Sequence, residues 1–63
     1  ENLAIYIVQS KMKGDGLYVG TVNGYATETT LRAMGRACHR LPDATRCDDS
    51  VMHPDVVGAL LAR

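Results

Sequence analysis

The 63-residue chain has no tryptophan and no phenylalanine, and its only aromatic residues are three tyrosines. Tyrosine is therefore the only aromatic available to a core or to a stacking surface. No sign of charge is in excess: seven Lys and Arg balance seven Asp and Glu. Net charge thus gives no pull toward a polyanion, and a nucleic-acid partner is not expected. No apolar run approaches the ~20 residues of a membrane span, so membrane insertion is not expected. The sequence opens at Glu1 with neither methionine nor a signal-peptide pattern, and the chain is expected to be a mature form or an excised piece of a longer protein.

Cysteine is scarce as well. Cys38 and Cys47 permit one internal pairing. Closing a loop of about ten residues stabilises by roughly 2.5–3 kcal/mol on the chain-entropy model, a large share of the stability of so small a domain. The expected disulfide places the chain in an oxidising compartment, periplasmic or extracellular. What remains is a chain with 46% apolar residues, enough for a single domain near the lower size limit for an independent core.

Its organising stretch runs from Gly14 to Thr30. Four glycines and the pair Asn23-Gly24 mark sharp turns, yet Leu17, Tyr18, Val19, Val22 and Tyr25 are too apolar for a free linker. A packed loop is predicted. Before it, Ala4, Ile5, Val8 and Met12 recur at helical spacing over residues 3–13, with Asn2 as N-cap and Gly14 as the stop. Gln9 and Lys13 are read as lying outside that stripe. The β-prone run Ile5-Tyr6-Ile7-Val8 makes a strand the competing reading, but it would have no partner.

A second helix is predicted over Glu28–Arg40, capped by Thr27. Leu31, Met34, Cys38 and Leu41 cluster on one side, and Arg32, Arg36 and Arg40 fall opposite. Glu28 precedes Arg32 by four residues, a favourable helix pair, and Pro42 closes the element. Residues 42–50 form a polar connector. A third helix starts at Pro54 and buries Val56, Val57, Leu60 and Leu61. Sliding the chain by 26 residues lays Asn23-Gly24 over Asp49-Ser50 and Ala33-Met34 over Ala59-Leu60, a faint internal repeat. The expected fold is all-α: one small three-helix domain, with a long ordered glycine-rich loop between its first two helices and one disulfide.

Gly16-Leu17-Tyr18-Val19-Gly20-Thr21-Val22-Asn23-Gly24-Tyr25, followed by Thr30 and preceded by Gln9, resembles the peptidoglycan-binding domain family. Asp49 to Leu60 is similar to that family's worn second copy. The chain departs from the pattern at Thr27 and His53, where glycine is preferred, at Ala37-Cys38, at Val56 and at Asn23, and so resembles a diverged member. The resemblance implies a non-catalytic, bacterial cell-wall module that tethers an enzyme or envelope protein to peptidoglycan or muropeptide. It also implies Gly16, Gly20, Gly24 and Thr30 as architectural positions. The same family serves as docking units beside catalytic domains, so a protein-interaction module contacting a partner domain is the alternative.

The residues themselves offer little chemistry beyond binding. Cys38 and His39 are adjacent on a helix and point about 100° apart, which suits neither a nucleophile–base pair nor a shared zinc ion. No catalytic residues, no cofactor and no metal are expected; His39 and His53 read as surface histidines, His53 as a cap for the last helix. The arginine stripe matches an ordinary solvated face. Tyr18 and Tyr25 are the candidates to stack on sugar C–H faces, with Asn23 as a hydrogen-bonding neighbour; the resemblance further implies an arginine, Arg32, to meet a stem-peptide carboxylate. The competing reading, which carries the greater weight for each tyrosine, is a core plug beneath the glycine loop.

Overall fold

In a computed structural model that describes residues 1–43 and 46–63, the β-prone run at the start of the chain is helical. Helix α1 spans Leu3–Gly14. Asn2 holds extended backbone, and its Oδ1 accepts from the Ile5 N–H at 3.1 Å, which satisfies one of the donors a helix start leaves orphaned. Gly14 is the last helical residue and not the stop. The chain reverses at Gly16, whose φ is +77°. The Leu17 N–H reaches back to the Met12 carbonyl at 2.8 Å and the Gly16 N–H to that of Lys13 at 3.2 Å. This Schellman arrangement needs a left-handed residue one position past the cap, which a glycine supplies without strain.

Helix α2 spans Glu28–His39, capped by Thr27, whose Oγ1 accepts from the Thr30 N–H at 3.3 Å. The expected Glu28–Arg32 pair is present on its surface. Its buried face comprises Thr30, Ala33, Met34, Ala37 and Cys38; it shares Met34 and Cys38 with the predicted one and is rotated from it toward Thr30, Ala33 and Ala37. Leu31 and Leu41 lie half-buried at the margin. The alanines and Thr30 fit the enclosed centre of a three-helix packing, where a leucine needs more room.

Helix α3, Pro54–Leu61, begins with proline in the first turn and takes His53 as its cap; His53 Nδ1 accepts from the Asp55 N–H at 3.1 Å. Val56 and Leu60 are buried, while Val57 and Leu61 are only partly covered. A helix of eight residues presents one narrow i, i+4 stripe. The 26-residue offset holds in the helix register: it carries cap Thr27 onto cap His53, Thr30 onto Val56, and Met34 onto Leu60, each pair at the same step from its helix start.

α1 packs against both other helices, and these touch each other around Ile5, Val8, Met12, Met34, Cys38, Val56 and Leu60. Cys38 and Cys47 form the disulfide, with 5.8 Å between their Cα atoms. It pins the connector to α2; residues 44 and 45 of the predicted 42–50 connector lie outside the described residues. The fold is all-α, with three helices and no strand among the described residues.

Candidate functional site

Between α1 and α2 the chain runs without helix from residue 15 to 27, and one side chain from α1 fixes its course. Gln9 is fully buried. Its Oε1 accepts from two backbone donors, the Asn23 N–H at 2.9 Å and the Gly24 N–H at 2.8 Å. Its Nε2 donates to the Tyr25 carbonyl at 3.0 Å and to Thr30 Oγ1 at 2.9 Å, with Asn23 Oδ1 and the Tyr18 hydroxyl farther off at 3.3 and 3.5 Å. A primary amide has two hydrogens and two lone pairs, so the four short contacts saturate it. Gln9 therefore belongs to the buried stripe, contrary to the expectation from its polarity. At 100° per residue it sits only about 40° from Ile5, a position the angular pattern already allowed.

Tyr18 forms the floor of this turn. The residue is 4% exposed. Its hydroxyl donates to the Thr21 carbonyl at 2.7 Å and accepts from Thr30 Oγ1 at 3.3 Å. The ring lies directly under Gly20, where a Cβ would fall 2.5 Å from the hydroxyl oxygen. Of the two readings of Tyr18, the plug is the one the geometry matches; no ring face is left for a sugar. Tyr25 differs, with 52% of its surface exposed. The Asn23 side chain is half-buried and turned back onto the Tyr25 N–H at 3.0 Å, an Asx turn that occupies its acceptor.

Gly24 is required twice over. Its φ is +83°, and a Cβ there would stand 3.0 Å from the Asn2 carbonyl oxygen. The Asn2 N–H donates to the Gly24 carbonyl at 2.9 Å, so the turn is stitched to the start of α1. Next to this junction an open groove of about 340 Å³ is lined by Glu1, Asn2, Leu3 and Tyr6. Tyr6, 47% exposed, was not a predicted site residue, and only its helical phase opposite the core could have singled it out.

Arg32 is exposed and neutralised by Glu28. Two other cations hold the turn from outside: Lys13 Nζ donates to the Gly20 carbonyl at 3.0 Å, and Arg36 Nη2 to the Leu17 carbonyl at 2.9 Å. The residues brought together are thus Gln9, Tyr18, Asn23, Gly24, Tyr25 and Thr30; Arg32 stands apart. Among the described residues no group of three or more His, Cys, Asp or Glu is placed to hold a metal ion. Among the described residues no helix is long and apolar enough to cross a membrane. The disulfide fits an oxidising environment. No protein-family model, curated protein or solved structure matches the chain.

Proposed function

We propose that this domain is a non-catalytic, diverged peptidoglycan-binding module, which attaches a larger enzyme or envelope protein to the bacterial cell wall in the periplasm or outside the cell. The observation that carries the reading is the convergence on Gln9. The residues that support the family resemblance are scattered from α1 to α2, yet Gln9, Asn23, Gly24, Tyr25 and Thr30 share one hydrogen-bond centre. A chance match of turn residues gives no reason for a distant glutamine to satisfy them.

In this reading the network is a frame and the ligand lies on its rim. Tyr25 presents an open ring to a sugar face, and Tyr6 lines the neighbouring groove. At about 340 Å³ the groove is at the small end of ligand sites. Binding is correspondingly weak, because contact area on so small a module is limited. The test is co-sedimentation of the oxidised domain with insoluble sacculi, beside Tyr25→Ala. Pelleting that the substitution reduces severalfold supports the reading; wild-type protein that stays in the supernatant at high sacculus load overturns it.

A specific observation favours the alternative of docking to a partner domain. Leu3, Tyr6 and Ile7 lie at i, i+3 and i+4 on the outer face of α1 and are all exposed, the spacing by which a helix offers an apolar stripe to another protein. Under that reading Leu3→Ser/Ile7→Ser abolishes association with the attached domain, and the wild-type domain alone does not pellet with sacculi.

A further inference from the structure

Zero net charge conceals a segregation. Residues 1–42 carry five Lys and Arg against three acids, and residues 43–63 two against four. The acids of the second part cluster on the connector and the first turn of α3, where Arg46 pairs with Asp49 and Asp55. The cations of the first part are less well served. Arg32 has Glu28, but among the described residues no carboxylate lies within 4.0 Å of Lys13 or Arg36. Each is nonetheless held in place by one backbone carbonyl of the same turn, Gly20 for Lys13 and Leu17 for Arg36. An ammonium has three donors and a guanidinium five, so most remain free. Between the two anchor points Val19 projects with 90% of its surface exposed, having no part in the core.

We infer that this turn is a carboxylate site, in which Lys13 and Arg36 bind the C-terminal carboxylate of a short peptide and Val19 packs against that residue's small alkyl side chain. The source of that peptide, a cell-wall stem ending in D-alanine, rests on the peptidoglycan reading; the charge and shape of the site do not. Two cations whose positions are already paid for by carbonyl contacts lose less freedom on binding than free surface side chains. An apolar tip beside them suits a carboxylate flanked by alkyl carbon better than a phosphate within a sugar chain. The arginine that meets the carboxylate is thus Arg36 and not Arg32. Exposure keeps the contact weak and salt-sensitive.

The test is amide-resolved NMR titration of the oxidised domain with N-acetyl-D-alanyl-D-alanine and, separately, with its C-terminal amide. The carboxylate form is expected to move the Val19 and Gly20 amides, with the amide form at least tenfold weaker. Lys13→Gln/Arg36→Gln lowers the affinity at least tenfold, while Arg36→Lys retains part of it; unchanged helical circular dichroism rules out unfolding as the cause. Equal shifts from the amide form, or shifts away from residues 17–20, overturn the site. If the dipeptide moves nothing but the wild type still pellets with sacculi, the carboxylate site falls and the cell-wall reading stands. If neither occurs, both fall.

Discussion

Replacing Gln9 with leucine preserves side-chain bulk and helix propensity, so it isolates the hydrogen bonds. The substitution strands the Gly24 N–H, which is buried, and the Asn23 N–H and Tyr25 carbonyl, which are partly buried. Thr30 keeps partners in Tyr18 and Thr27 and adds little. A buried polar group left unsatisfied costs about 1–3 kcal/mol; discounting the two partly buried ones, the total comes to roughly 3–5 kcal/mol. The whole domain has about 3–9 kcal/mol to lose, from the usual stability per residue. Gln9→Leu is therefore expected to leave the domain marginally folded or unfolded at room temperature, even with the disulfide intact. Urea denaturation followed by helical circular dichroism measures this directly. A loss below about 1 kcal/mol would mean that the turn finds other partners and that Gln9 does not organise it.

Other substitutions probe the remaining parts of the frame. Gly20→Ala places a methyl group against the Tyr18 ring and is expected to cost about 1–3 kcal/mol, read as a fall in the thermal midpoint. Gly58→Ala, within α3 with nothing within 4 Å of the new Cβ, is expected to stabilise by about 0.5–1 kcal/mol, a rise of several degrees in the same scan. Reducing the Cys38–Cys47 bridge is expected to remove about 2.5–3 kcal/mol, and denaturation with and without reductant gives the difference.

The elements and their order were legible because local signals agreed. Asn2, Thr27 and His53 all cap the helices they were assigned, Pro54 opens α3, and the disulfide joins the two cysteines there are. The interior was read less well, for reasons of size and polarity. Ala33 and Ala37 bury little apolar area each, so a pattern weighted by hydrophobicity rotated α2 toward Leu31 and Leu41. Gln9 is polar and was placed outside, although its angle puts it inside. A polar side chain can occupy a core position when every one of its hydrogen-bonding groups is met, and those partners sit in a loop far along the chain. The two readings of the tyrosines could not be separated by spacing. Only the packed loop puts Tyr18 beneath Gly20 and leaves Tyr25 outside.

The same frame explains why the candidate ligand contacts lie where they do. The turn that needs Gly24 is stitched to Asn2, and this brings the exposed Tyr25 turn beside the Tyr6 groove. The most direct test of the account is an amide-shift map of the isotope-labelled, oxidised domain titrated with a soluble disaccharide–peptide fragment of peptidoglycan. Shifts are expected at Leu3, Tyr6, Tyr25 and the residues 17–25 turn. A spectrum that does not move, or one that moves only on α3 and the connector, contradicts it.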